Sequence, residues 1–313
     1  MREHSTRGYL CDRKKFALWI AARGTVLFGS VAILSMSALA LYASGSFTDA
    51  NNLTATIFDI GQGDAIHLRL PHGQDILVDG GPSNRVVEKL GSSMPFFDRH
   101  IDVAVATHPD ADHITGLIGV MSTYRVGTLL ILDIERNTPE YDELIAVARR
   151  YRIPVQKARP GQIFQFASGA RFEILASGDS KSVEAGEALN DSSIVAIMRY
   201  QDVAMLLTGD AGVAVEREIL AKYPSLQADI LKAGHHGSRT STSKALLDAI
   251  SPRAVLISAG ADNTYGHPHR EVVERINESG ASLYRTDRQG DIIVTSDGET
   301  FEIKTAKQIS AFE

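Results

Sequence analysis

Two hydrophobic patterns divide the chain near residue 50. Residues 24–43 form one run without a charged residue, whereas from Leu53 onward short apolar segments alternate with polar turns and longer amphipathic stretches. Short apolar segments bounded by glycine and polar residues predict buried strands, and apolar residues three or four positions apart predict helices. The pattern therefore predicts a separate N-terminal segment followed by one α/β domain.

The strands and helices of this domain can be placed from the pattern. Strands are predicted at 54–59, 65–70, 75–81, 101–106, 128–132, 163–166, 171–175, 194–200, 203–210, 229–233 and 254–258. Helices are predicted at 115–124, 139–151 and 213–223, with another opening at 241–243. A polar, acidic loop is predicted at 177–190, and a closing strand pair around Asp297 and Gly298.

The uncharged run 24–43 is long enough to cross a membrane, because about 20 helical residues at about 1.5 Å each span the hydrocarbon core. Residues 1–23 carry six Lys and Arg against two acidic residues, a net charge of +4 that leaves −10 for the rest. This bias predicts a cytoplasmic leader and a domain outside the cytoplasm. The alternative is a signal peptide cleaved near Ala40, after which the domain is secreted. We expect a linker at 44–52 and the folded domain at 53–313.

The composition limits the classes of function that the chain can have. The chain has 313 residues, 44% of them hydrophobic, which suffices for one large domain with a core. Its one cysteine, Cys11, precedes the apolar run, so the domain has no disulfide and suits either an oxidising or a reducing compartment. A net acidic domain does not indicate an extended polyanion-binding surface. The compact basic run 149–152 is interpreted as a solvated helix end, with substrate contact as the alternative.

Two imidazoles and two carboxylates lie together directly after the predicted strand 101–106. They belong to the stretch Thr107-His108-Pro109-Asp110-Ala111-Asp112-His113. Nitrogen and oxygen donors presented by one tight loop are ligands for Zn²⁺, Mn²⁺ or Fe²⁺. The alternative is that Asp112 only caps the following helix and the histidines are incidental. The spacing favours a metal site.

Other predicted strands are also followed by polar residues with metal-ligand or catalytic chemistry. These residues are Asp79, Asp210, His235, His236, His267 and His269. Each also has a simpler interpretation, since Asp79 could only form a turn, Asp210 could cap a helix and His269 could lie in a surface turn. Asp210 therefore has a metal role only jointly with the other motifs.

The stretch 107–113 resembles the metal-binding signature of the metallo-β-lactamase superfamily. Asp110 replaces the usual middle His, as it does in competence proteins of the ComEC type. Segments 59–64, 77–81 and 190–193 resemble the same branch, and the resemblance runs from about Leu53 to about Thr305. It implies a four-layer αββα sandwich that forms a stand-alone hydrolase domain, without the channel domain of a full ComEC protein.

The resemblance also implies roles for individual residues. One or two divalent ions, Zn²⁺ or Mn²⁺, would be held by His108, Asp110, Asp112, His113, Asp210 and His235. Possible further ligands are Asn190 or Asp191, which stand where the superfamily has its third His, and His236. Supporting residues are Asp59, Asp64 and Asp79, the last from beneath the metal loop. Asp112 and His267 are implied to be catalytic, with His267 at the rim to contact substrate or supply a proton.

These assignments lead to a functional hypothesis. A bound water acidified by the metal would act as hydroxide at neutral pH and hydrolyse a phosphodiester, most naturally in DNA or RNA. One alternative is an envelope phosphoesterase or a lactone or lactam hydrolase that uses the same site. Another, from a different class, is a metal-stabilised accessory or binding module without turnover.

Overall fold

The computed structural model describes residues 19, 30, 33–36, 51–134, 136–178 and 187–307. The chain divides into two compact units, Met1–Thr48 and Asp49–Glu313. Most of the predicted leader, membrane segment and linker lies outside the described residues, and so does the cleavage site at Ala40. Among the described residues, no helix combines the length and apolar character needed to cross a membrane.

The first sheet of the second unit has eight strands in the order β15-β14-β1-β2-β3-β4-β5-β6. Their bounds are β1 Leu53–Ile57, β2 Ile66–Arg69, β3 Asp75–Val78, β4 His100–Val105, β5 Arg125–Ile131, β6 Val155–Lys157, β14 Ile292–Ser296 and β15 Phe301–Thr305. Strands β3 to β6 are parallel to one another, whereas β1 is antiparallel to both of its neighbours. The predicted closing pair β14 and β15 thus completes this sheet beside the first strand.

The second sheet has seven strands in the order β13-β12-β11-β10-β9-β8-β7. Their bounds are β7 Ile163–Gln165, β8 Arg171–Ala176, β9 Val195–Tyr200, β10 Val203–Leu207, β11 Ile230–Lys232, β12 Ala254–Ile257 and β13 Ser282–Arg285. Strands β10 to β13 are parallel. Strand β13 was not predicted, because its four residues, one exposed and three half-buried, include no long apolar run.

Helices cover the outer face of each sheet. The helices over the first sheet are α1 Arg85–Ser93, α2 Ala111–Thr123 and α3 Pro139–Arg150. Those over the second are α5 Val213–Lys222, α6 Lys244–Ile250 and α7 Arg270–Glu278. Two short helices, α4 Glu187–Asn190 and α8 Thr286–Gln289, lie in connections. Helices α1 and α7 were missed from sequence because only two residues of each are buried.

Three hydrophobic clusters join these layers. The cluster between the sheets combines residues such as Leu68 of β2 with Phe172 of β8 and Met205 of β10. A second cluster packs α1, α2 and α3 against the first sheet, and a third packs α5, α6 and α7 against the second. The implied four-layer αββα sandwich is therefore confirmed. Burying both faces of each parallel region explains why its strands are almost continuously apolar.

Candidate metal centre

The loop after β4 is fixed from beneath by Asp79, which follows the neighbouring parallel strand β3 and is fully buried. The backbone N–H of Thr107 donates to Asp79 Oδ1 at 2.8 Å, and the Thr107 hydroxyl donates to Oδ2 at 2.7 Å. Nδ1 of His113 donates to the same Oδ2 at 2.8 Å. Asp79 thus positions the loop and one of its imidazoles, which is the place that the resemblance implied for it.

Helix α2 begins inside the His/Asp stretch, at Ala111. Asp110 occupies the N-cap position but makes no side-chain capping hydrogen bond, and Asp112 lies within the first turn. Because neither carboxylate caps the helix, both remain available for other partners. The interpretation of Asp112 as a helix cap is therefore wrong.

Four donors from both sheets converge beside this loop, and we name them the inner position: Asp112, His113, Asp210 and His236. Nε2 of His113 lies 3.4 Å from Asp210 Oδ2 and 4.0 Å from Asp112 Oδ2. Nε2 of His236 lies 3.4 Å from Asp210 Oδ2 and 3.6 Å from Asp112 Oδ2. Ligands about 2.1 Å from a tetrahedral ion are about 3.4 Å apart. The donors therefore have nearly the spacing that a bound ion requires.

The imidazoles are oriented for coordination by the hydrogen bonds of their other nitrogen. Nδ1 of His236 donates to the Ser258 carbonyl at 3.0 Å, as Nδ1 of His113 does to Asp79. Thr107 already donates its hydroxyl proton to Asp79, so it accepts from Nδ1 of His108 at 3.1 Å. The Nε2 atoms of all three histidines are buried without a hydrogen-bond partner. Such orphaned atoms fit a metal ion, because buried polar groups are otherwise paired.

The charges at the inner position also fit a cation. Burial lowers the pKa of His236, but the Asp210 and Asp64 carboxylates outweigh it and raise that pKa to about 9. The pKa of His113 also lies well above its usual value, because Asp210 and Asp79 outweigh burial. Burial with nearby His113 holds the pKa of His108 down to about 3, so this imidazole is neutral. A divalent ion would displace the protons that the carboxylates draw onto the other two.

A buried lysine completes the centre, and the sequence pattern gave no sign of it. Lys232 ends β11, is fully buried and forms an ion pair with Asp64. Its Nζ donates to the Gly209 carbonyl at 3.3 Å and lies 4.0 Å from Asp210 Oδ1. The other carboxylate oxygen of Asp64 lies 3.4 Å from Nδ1 of His236. Lys232 and Asp64 thus support the inner position from behind.

Residues beside His108 form a second, more open group, the outer position: His108, Asp110, Asn190, Asp210 and His235. Nε2 of His108 lies 3.7 Å from Asp110 Oδ2 and 3.9 Å from Asp210 Oδ2. Nε2 of His235 lies 3.9 Å from Asp210 Oδ2. Asp210 therefore faces both positions. Its possible role as the cap of α5 is excluded, since Gly212 occupies that N-cap position.

The segment before β9 contributes an amide and not an imidazole to the outer position. Nδ2 of Asn190 lies 3.4 Å from Nε2 of His235. Asp191 is engaged elsewhere, because its Oδ1 accepts from the backbone N–H of Gly212 at 2.9 Å. A cavity of about 260 Å³ opens here, lined by Asn190, Asp191, Asp210, Gly212, Val213, Ala214, His235 and Thr240.

The paired histidines after β11 differ in how far they reach inward. Both have left-handed backbone conformations, with φ of 47° at His235 and 53° at His236, in the tight turn Gly234–Gly237. This turn buries His236 among the inner donors and leaves the side chain of His235 23% exposed. The geometry thus places the possible ligand His236 nearer the centre than His235. Two consecutive left-handed residues could not be foreseen from the sequence.

His267 lies at the rim, its ring centre 5.3 Å from that of His235 and 6.3 Å from that of His236. Asn263 holds its backbone by accepting from the His267 N–H at 2.9 Å and donating to its carbonyl. The Nδ1 atom has no partner, and burial with the nearby histidines lowers the pKa of His267 to about 4. A neutral imidazole therefore faces the centre. His269 is engaged, because its Nδ1 accepts from the Arg239 N–H at 3.2 Å.

Asp59 belongs to none of the described groups that could hold an ion. Its backbone N–H donates to Asp291 Oδ1 at 2.7 Å, which joins the turn after β1 to the start of β14. The contact favours a structural role for this turn.

Comparison with known families agrees with this geometry. The model of the metallo-beta-lactamase superfamily matches residues 59–261, which include the inner donors. The chain belongs to the metallo-beta-lactamase superfamily. Members of this superfamily are generally hydrolases. The resemblance stated from the sequence is thereby confirmed.

Curated relatives within the superfamily are competence proteins of the ComEC type. The chain is 29% identical over 253 residues to ComE operon protein 3 of Bacillus subtilis, covering 75% of this chain and 32% of that protein. It is 30% identical over 258 residues to Recombination protein 2 of Haemophilus influenzae, covering 80% and 29%. The chain thus spans about a third of the length of these relatives.

Two solved structures, the metallo hydrolase Igni18 and the metallo-beta-lactamase fold protein YhfI, share the fold. Igni18 of Ignicoccus hospitalis aligns with a TM-score of 0.52 at 15% identity, covering 77% of this chain and 98% of that one. YhfI of Bacillus subtilis aligns with a TM-score of 0.52 at 11% identity, covering 78% and 100%. At this identity the likeness shows the fold alone.

Proposed function

We propose that this chain hydrolyses phosphodiester bonds in DNA or RNA with the help of a divalent metal ion. The observation that carries the proposal is the inner position, where buried imidazole nitrogens without partners face two carboxylates at 3.4–4.0 Å. Zn²⁺ and Mn²⁺ suit this mixture of nitrogen and oxygen donors. A metal bound there would acidify a coordinated water and polarise a phosphoryl group.

The chain's own residues would divide the remaining tasks. Asp210 faces both positions, so its carboxylate can hold an ion at the inner position and help to define the outer one. Lys232 offsets part of the carboxylate charge behind the centre. At the open side, neutral His267 can hydrogen-bond a phosphoryl oxygen or take up a proton during transfer.

The substrate class and the location of the domain extend this proposal. A DNA or RNA substrate is supported by the similarity to competence proteins of the ComEC type, which suggests involvement of DNA. A location outside the cytoplasmic membrane is supported by the uncharged run 24–43 and the basic leader before it. An anchored domain would then meet nucleic acid outside the cytoplasm.

The test is a metal-dependent activity screen with the purified full chain. After loading with Mn²⁺ or Zn²⁺, wild type should cleave single-stranded DNA and bis-p-nitrophenyl phosphate, and Asp112→Ala should cleave neither. A lactone and a cephalosporin are included, since hydrolysis of only these would assign the site to a different hydrolase class. Bound metal without turnover of any substrate would instead support an accessory module.

A further inference from the structure

The end of the first sheet opposite the metal centre carries an aromatic and basic surface. The loops before β4, β5 and β6 meet at this end, because these three strands are parallel neighbours. The metal loop follows the other end of β4, about 20 Å away for a six-residue strand. We name this surface the amino-end surface; its residues are Phe96, Phe97, Arg99, Arg125, Arg149, Arg150, Tyr151 and Arg152.

Two phenylalanines project from the tip of a fixed turn. Phe96 is 77% exposed and Phe97 86% exposed, which are high values for large apolar side chains. The turn is closed by the Asp98 N–H, which donates to the Pro95 carbonyl at 2.8 Å. Asp98 is itself held, because its carboxylate accepts from Arg69 at 3.0 Å and from the His100 N–H at 3.2 Å. The turn thus presents both rings outward.

Exposed arginines lie at the same end of the sheet as this tip, and they include the basic run 149–152, which has no part in the metal centre. Arg99 precedes β4, Arg125 is the first residue of β5, and Arg149, Arg150 and Arg152 precede β6. The one acidic group of the turn, Asp98, is paired with Arg69. The surface is therefore strongly basic although the chain after residue 23 carries a net charge of −10.

We propose that the amino-end surface contacts an anionic lipid bilayer, with Phe96 and Phe97 inserted at the headgroup level. Aromatic side chains and arginines together suit this interface, because the rings enter the acyl boundary and the cations pair with anionic headgroups. This proposal rests on the proposed membrane location. It orients the metal centre away from the membrane, toward a polymer in solution.

Two further observations favour a bilayer over single-stranded nucleic acid. The rings of Phe96 and Phe97 pack edge to face, at 86° with centres 4.9 Å apart, so they cannot both stack on successive parallel bases. Strand β1 also starts at this end, because it runs in the same direction as β3 and β4. The nine linker residues 44–52 can span at most about 32 Å from the run 24–43.

A fluorescent probe at the turn tests the contact in the full chain. Cys11→Ser leaves no cysteine, so Phe97→Cys can be labelled alone with an environment-sensitive dye. In vesicles of phosphatidylcholine and phosphatidylglycerol, we expect blue-shifted emission and quenching by a lipid with a doxyl group on its acyl chain. The matched control is Asp262→Cys, because Asp262 is exposed and follows β12 at the metal-centre end. A probe at this position should stay unquenched. Equal quenching at both sites would overturn the proposal.

The arginines give a second, independent test. Arg149→Glu together with Arg150→Glu should weaken the binding to vesicles that contain phosphatidylglycerol, by roughly fivefold for each arginine. The additional quenching caused by phosphatidylglycerol should then be lost. Arg217→Glu with Lys222→Glu makes the same charge change on exposed residues of α5 and should leave quenching unchanged. Quenching that is the same with phosphatidylcholine alone would contradict the role of the arginines.

Further measurements distinguish the proposed bilayer contact from the proposed membrane anchor and from other partners of the amino-end surface. Release of the wild-type chain by alkaline washing would refute the anchor, while quenching of the Phe97 probe on the same vesicles would still support the loop contact. A probe that responds to protein concentration and not to lipid would instead indicate a second copy of the chain. A response only to single-stranded DNA would replace the bilayer by nucleic acid.

Discussion

The inner and outer positions of the centre take their first ligands from the same loop, yet they differ in how completely they are assembled. The inner position has four donors held by buried partners, with Asp79, Asp64 and Ser258 fixing its imidazoles. The outer position has one well-held imidazole, His108, and a carboxylate, Asp110, whose side chain is 40% exposed. The difference arises on the side of the second sheet, which supplies the buried His236 to the inner position but the amide of Asn190 and the partly exposed His235 to the outer one. We expect one firmly held ion at the inner position and a weaker one at the outer position.

The largest effect is expected from removing a carboxylate of the inner position. Asp112→Ala should lose both bound metal and turnover, because it removes a ligand and a negative charge from the inner ion. Asp110→Ala, two residues earlier, should keep the inner ion and lose only the weaker one. Elemental analysis of the purified full chain and hydrolysis of bis-p-nitrophenyl phosphate measure both effects. Equal metal loss in the two variants would contradict the distinction between the positions.

The neighbouring histidines after β11 provide a second matched pair. His236→Ala should abolish metal binding at the inner position, since its Nε2 lies 3.4 Å from Asp210 and faces the centre. His235→Ala should retain that ion, because its Nε2 approaches only the outer position. Metal titration of each variant distinguishes them. The reverse pattern would restore the sequence-based preference for His235.

The fold was largely predictable because most of its strands are continuous apolar segments. Strands β4, β9 and β12 were placed within one residue of their observed ends, and the predicted end of β10 lies three residues beyond the observed one, since all four strands are mostly buried. Edge strand β6 was missed because all three of its residues are exposed. Local apolar patterning thus indicates buried strands and gives little information about edges.

The candidate site was predictable as a set of residues but not as a geometry. The His/Asp stretch, Asp210 and the two histidines after β11 were all singled out, because they follow apolar strands and resemble the metal-binding motifs of the superfamily. Which histidine turns inward depends on backbone conformation, and the buried Lys232 looked like an ordinary strand residue. Contacts between the sheets, such as that of Lys232 with Asp64, join residues distant in sequence, so no local pattern reports them.

A smaller loss of activity is expected at the rim, where no metal is held. His267→Ala should keep the metal content of wild type while phosphodiester hydrolysis falls by about 10² to 10⁴-fold, the usual contribution of a proton-transferring side chain. His269→Ala should change activity little, because its ring is engaged with the Arg239 backbone. Loss of metal in His267→Ala would show that His267 is a ligand.

Lys232 should matter for stability. Lys232→Met leaves Asp64 buried without its cation and should lower the free energy of unfolding by about 3–5 kcal/mol. Lys244→Met removes an exposed partner of Asp248 and should cost at most about 1 kcal/mol. Denaturant unfolding of the metal-free full chain compares them. If both variants unfold at the same denaturant concentration, Lys232 does not offset the buried charge.

The outer position should be strengthened by restoring an imidazole. The cavity of about 260 Å³ beside Asn190 leaves room for a larger ring, and Asp210, which lines this cavity, lies 3.9 Å from Nε2 of His108. Asn190→His should therefore raise the number of bound ions from one toward two per chain, because imidazole is a stronger ligand than an amide. Asn190→Gln lengthens the side chain without adding a ligand nitrogen and should leave the ion count unchanged. If the ion count is also unchanged in Asn190→His, binding of the second ion is limited by the exposed Asp110 and not by the missing imidazole.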